Sequence, residues 1–244
     1  MAQNTHAPAN LINYSRQELI GCLYAPEKCH AHDIYEVEVE VDKRLSQMST
    51  ADLVSCYSDW HICGDSQPWL ISDILRHRGE TNEVIHRYGS SEDPVIREGI
   101  EILAYDSSSD VATDYMRAAF THRIDDGNNL YWPAMYLAKH CNVDALRYLD
   151  PGPNPKDVSG KFIVSSAQFA STAELFGKCH YRAAIPYLVA IGMHAASLNV
   201  VDAAAQSLRK FYPNSPHFDS LNTQQQYFCA RANRDGFHVN CSDD

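Results

Sequence analysis

The stretch CLYAPEKCHAHD gathers Cys22, Cys29, His30, His32 and Asp33 within twelve residues. Thiolates and imidazoles are good zinc ligands, and a closed structural site needs four of them. Cys56, His61 and Cys63 downstream could complete or duplicate such a site. The chemistry would be metal-dependent hydrolysis, with the metal activating water. The spacing argues against it. Six residues separate Cys22 from Cys29, six separate Cys56 from Cys63, and no CxxC pair occurs. His30 and His32 would project to one side only in an extended segment. The sequence therefore assigns no catalytic residue, cofactor or metal, and Cys22, Cys29, His30 and His32 stand as the alternative ligand set.

Other reaction signatures are missing. No G-x-S-x-G elbow, G-x-G-x-x-G loop or Walker sequence occurs. RIDDGNN opens like a calcium loop, but Tyr136 stands where the closing acid belongs, so the segment reads as a turn. Two aromatic groupings suit a protein interface better than a reaction. SDWHICGDSQPWL sets Trp60 and Trp69 around a loop with Asp59 and Asp65, and Asp73 follows. NNLYWPAMY brings Tyr131, Trp132 and Tyr136 together. The competing reading makes these rings core residues.

Charge narrows the partner. The chain carries 31 acidic and 20 basic residues, a net charge of −11. Residues 1–110 hold 19 acidic against 8 basic residues, whereas residues 111–244 hold 12 of each. Such a field opposes nucleic acid and anionic membranes and speeds encounter with basic proteins. The opening residues show neither the basic nor the apolar region of a signal peptide. The longest apolar stretch, Ala183–Ala196, is too short to span a bilayer. The expectation is a soluble, cytoplasmic chain whose eight cysteines are reduced.

The elements that must position these groups read as helices. STADLVSCYSDW carries a capping box at Ser49 and Asp52, and Gly79 ends the helix SQPWLISDILRHRG. Asp93 and Pro94 open EDPVIREGIEIL, and Ser109 or Asp110 caps SSDVATDYMRAAF. Eleven or twelve helices follow from this punctuation, with no strand pair. YEVEVEVD is the one ambiguous segment, because its apolar and acidic residues alternate as in a strand. At 100° per residue, however, Ile34, Val37, Val41, Leu45 and Met48 fall in an arc of about 80°. Helix is the better reading, with Glu36 and Glu40 as an exposed ridge, Glu38 and Asp42 beside it, and Val39 on the outer side.

An internal echo appears at an offset of 39 residues. LAKHCNVDALRYL (137–149) overlays FGKCHYRAAIPYL (176–188), matching Lys139 with Lys178, Ala145 with Ala184, Tyr148 with Tyr187 and Leu149 with Leu188. WPAMYLAKHCNVDALRYL resembles an ankyrin helix pair, with Cys141 and His180 standing where that family has a turn glycine. The spacing is nearer that of HEAT-type arrays. The resemblance implies stacked antiparallel helix pairs, an all-α, compact, α-solenoid-like domain that binds other proteins. The expected organisation is an acidic helical part (1–149), a Pro-rich loop (150–158), a continuous helical part (159–238) and a fraying tail (239–244). In charge and class the chain is similar to bacterial toxin-immunity proteins, which implies a non-catalytic inhibitor neutralising a basic toxin. The expected partner-binding residues are Glu36, Glu38, Glu40, Asp42, Asp59, Trp60, Asp65, Trp69 and Asp73. A helical-repeat scaffold or adaptor and a metal-dependent hydrolase are the alternatives.

Overall fold

Helices start and stop where local side chains supply the backbone partners that a helix end lacks. In the computed structural model, which describes residues 11–15, 18, 19, 22, 34–58, 68–123, 130–152, 166–195 and 197–241, Ser49 accepts from the Asp52 amide and donates to its carboxylate at 2.7 Å. Asp93 accepts from the Val95 amide at 2.8 Å, and Ser109 from that of Ala112 at 3.1 Å. All three capping expectations hold.

The described residues are all-α, built of stacked helix pairs without a strand. The helices are α1 (Ile34–Leu45), α2 (Thr50–Ser55), α3 (Pro68–His77), α4 (Thr81–Tyr88), α5 (Pro94–Tyr105) and α6 (Asp110–Arg123). They continue as α7 (Tyr131–Lys139), α8 (Val143–Leu149), α9 (Ser166–Lys178), α10 (Ile185–His194), α11 (Leu198–Phe211) and α12 (Leu221–Arg234). Short 3-10 turns occupy Leu11–Asn13 and Arg182–Ala184. The chain divides into two compact units, 1–116 and 117–244, and the division falls inside α6. The Pro-rich loop lies outside the described residues beyond position 152, and so does the expected turn at 125–129.

In the first unit α5 packs against both α3 and α4, and α3 also meets α1 and α2. Val37, Val41 and Leu45 are buried on one face of α1, which settles YEVEVEVD as helical. Tyr57 is buried with its hydroxyl 2.8 Å from Ser72 of α3, and its ring abuts Gly99 of α5. In the second unit α7 meets α9, α9 packs along α11, and α10 packs on α11 and α12. Gly177 of α9 touches Ser207 of α11, whose buried hydroxyl donates to the Ala173 carbonyl at 2.7 Å.

The two halves of the sequence echo fold alike at their turns. Cys141 and His180 both take the left-handed backbone, with φ of 58° and 50°. In each copy the next amide reaches back five residues, Asn142 to Leu137 and Tyr181 to Phe176. This is the Schellman closure, with Cys141 and His180 doing what glycine does at Gly79 and Gly236. The matched positions Ala145 and Ala184, and Leu149 and Leu188, are buried in both copies. The Lys178 ammonium donates to the carbonyl of its own counterpart, Lys139, at 3.0 Å.

Two expectations are corrected. The six described cysteines are not reduced: Cys141 pairs with Cys179 and Cys229 with Cys241, Cys22 and Cys56 are also disulfide-bonded, and no cysteine is free among the described residues. Sequence spacing could not reveal these pairs because three-dimensional proximity makes them, of two turns for Cys141–Cys179 and of α12 with the segment after it for Cys229–Cys241. Nor is residue 239 onward a loose tail as far as it is described. Val239 exchanges two hydrogen bonds with the Asn233 side chain, of 3.0 and 2.8 Å, and Cys241 is bridged to α12.

Candidate docking face on the first helix

The alternation of apolar and acidic residues gives α1 two different surfaces. One side is the buried stripe. On the other, Tyr35 is 67% exposed and Val39 49% exposed, with Glu38 and Asp42 exposed beside them. Tyr35, Glu38, Val39 and Asp42 recur at the i, i+3, i+4, i+7 spacing, so they form one stripe along the helix. Burial raises the Asp42 carboxyl above its ordinary range, and the negative charge of Glu38 adds to the effect. A cation placed over this pair would relieve that repulsion.

The ridge expected from Glu36 and Glu40 differs from what is seen. Both residues are only partly exposed. Glu40 is held by Lys43 at 3.3 Å and by Arg44 at 3.0 Å, and its side chain is 15% exposed. Burial pushes the Glu40 carboxyl up, but the hydrogen bonds and charges of Arg44 and Lys43 bring it below its ordinary value. The reason is tertiary. Arg44 also donates to the carbonyls of Tyr14 and Leu11, so the segment at 11–14 meets α1 on its Glu40–Arg44 side. The available acidic residues of this helix are therefore Glu38 and Asp42.

Beside the stripe runs a groove of about 570 Å³ between α1 and α3. Asp42, Lys43 and Ser46 form one wall, and Leu70, Asp73, Ile74 and His77 form much of the other. The structure thus brings Asp42 and Asp73 to one cleft. Asp73 is exposed but ion-paired with Arg76, which also binds Asp106. Arg78 closes the end of the groove by donating to the Ser46 carbonyl at 2.7 Å, which satisfies the C-terminus of α1. Trp69, at the start of α3, is 36% exposed. Asp59, Trp60 and Asp65 lie outside the described residues.

Sequence reasoning missed Tyr35 as a surface anchor. The signal was present, since Tyr35 and Val39 sit about 40° apart on the same wheel that located the core stripe. The second aromatic grouping goes the other way. Tyr131 and Tyr136 are buried, with Tyr131 edge-on to Trp132 at 5.0 Å, so those tyrosines belong to the core.

As for metal chemistry, Cys29, His30 and His32 lie outside the described residues, and Cys22 spends its sulfur in a disulfide. A bridged sulfur is not a thiolate and cannot serve as the expected ligand. Among the described residues no three His, Cys, Asp or Glu side chains converge on a point that could hold an ion. No described helix is long and apolar enough to cross a membrane. No known family model, curated protein or solved structure matches the chain.

Proposed function

We propose that this chain is a non-catalytic binding protein that inhibits a basic partner, with the outward face of α1 as the first point of contact. The observation that carries the reading is the exposed pair Tyr35 and Val39 set between the carboxylates Glu38 and Asp42. A ring and a branched aliphatic group in water supply the anchors that dominate binding energy, while the flanking charges steer and select. A toxin-like enzyme with a basic cleft is the partner this chemistry fits. The disulfides favour an oxidising compartment over the cytoplasm as the place of encounter.

The test is affinity capture from the native host with the wild-type chain and with Glu38→Lys/Asp42→Lys, both checked for unchanged helicity. The expected result is a basic protein retained by wild type, lost with the variant, and inhibited when the purified pair is mixed. An acidic partner, or retention equal for both chains, overturns the reading.

The scaffold alternative draws on a separate observation, the two alike-folded turns joined by Cys141–Cys179. It expects binding that survives both substitutions on α1.

A further inference from the structure

The second unit contains a groove of about 500 Å³ between the last turns of α6 and the α7–α8 turn. Its floor is apolar and aromatic: Phe120 and Leu137 are buried, and Tyr148 meets Phe120 edge-on at 5.7 Å. The tyrosine is held in place because its hydroxyl accepts from the Leu130 amide at 3.3 Å. Two exposed arginines, Arg117 and Arg147, stand on the rim. Asp144 is the one carboxylate among the described lining residues and lies 3.0 Å from Arg147. A guanidinium rim over an aromatic floor selects a ligand that offers carboxylates beside an apolar or aromatic side chain.

The chain itself carries such a ligand. The exposed stripe of α1 presents Tyr35 and Val39 between Glu38 and Asp42. Charge is uneven between the units too: the first unit, 1–116, has 20 acidic and 8 basic residues, while 117–244, with 11 and 12, is close to balance. We infer that the Arg117–Arg147 groove receives the α1 face of a second copy, so that the protein self-associates through one acidic and one basic surface.

The net charge of −11 on each copy opposes this association at long range. At physiological ionic strength the screening length is about 8 Å, so distant charges are damped while contacting pairs are not. The local contact therefore decides, and the association is weak, salt-sensitive and heterologous. It also covers the stripe assigned above to a foreign partner, so self-association and partner binding compete. The inference does not need that partner. Substitutions in the groove leave α1 intact, and failure here would leave the inhibitor reading standing.

The experiment is sedimentation equilibrium of the full, oxidised chain from about 5 to about 500 μM at low and high salt. The expected result is a weight-average mass that rises with concentration at low salt and falls back in high salt. Arg117→Glu/Arg147→Glu and Glu38→Lys/Asp42→Lys should each weaken association by at least about tenfold. An equimolar mixture of the two variants should recover it, because each restores the opposite charge that the other lost. Monomeric wild type across the whole range, either variant associating like wild type, or a mixture that stays monomeric overturns the inference.

Discussion

Gly177 and Gly99 show how much of this fold hangs on single atoms. A Cβ at Gly177 would sit 2.7 Å from the Cα of Ser207, and one at Gly99 would sit 2.3 Å from the Tyr57 ring. The first neighbour is backbone and the second a buried ring pinned by its bond to Ser72, so neither can move aside cheaply. Gly177→Ala and Gly99→Ala should each lower stability by about 1–3 kcal/mol, read as an earlier denaturant midpoint at unchanged slope. Ser49, Asp93 and Ser109 were legible as caps because capping involves residues two or three apart. The exposure of Tyr35 was legible only from the wheel, and the half-burial of Glu40 not at all. That burial comes from Arg44 binding the carbonyls of Tyr14 and Leu11, some thirty residues earlier in sequence.

Helix pairs and their turns are the next level, and here the disulfides decide. Cys141–Cys179 joins two successive turns across 38 residues, whereas Cys229–Cys241 closes only 12. On the chain-entropy model the first bridge stabilises by about 3–4 kcal/mol and the second by about 2–3 kcal/mol. Replacing Cys141 and Cys179 together with serine should therefore cost more in equilibrium unfolding than replacing Cys229 and Cys241. Equal losses would place the stabilisation in local packing instead. The echo at an offset of 39 residues was visible in the sequence, and so was its turn position. The bridge was not, because Cys141 and Cys179 stand 38 apart and so fall at different positions of the repeat. The expectation of reduced cysteines rested instead on the opening residues, which show no signal-peptide pattern and carry no information on which turns meet in space.

At the scale of the molecule the sequence was most informative about charge and least about surface. The crowding of acidic residues into the first unit was plain from counting, and the all-α class followed from helix punctuation. Which carboxylates face water depended on tertiary contacts, and that left Glu38 and Asp42 in place of Glu36 and Glu40. If the acidic unit steers a basic partner, the association rate should fall by about tenfold or more between about 10 mM and about 500 mM salt, while dissociation changes less. Stopped-flow mixing reads both rates, and a salt-independent association rate would remove electrostatic steering from the account. The joined turns have a wider effect. A stack of helix pairs ordinarily opens one pair at a time from an end, because each touches only its neighbours. With Cys141 tied to Cys179 and Lys178 holding the Lys139 carbonyl, the α7–α8 turn and the end of α9 share one opening event. These two elements then behave as a single cooperative unit, and a fluctuation starting in either is shared by both.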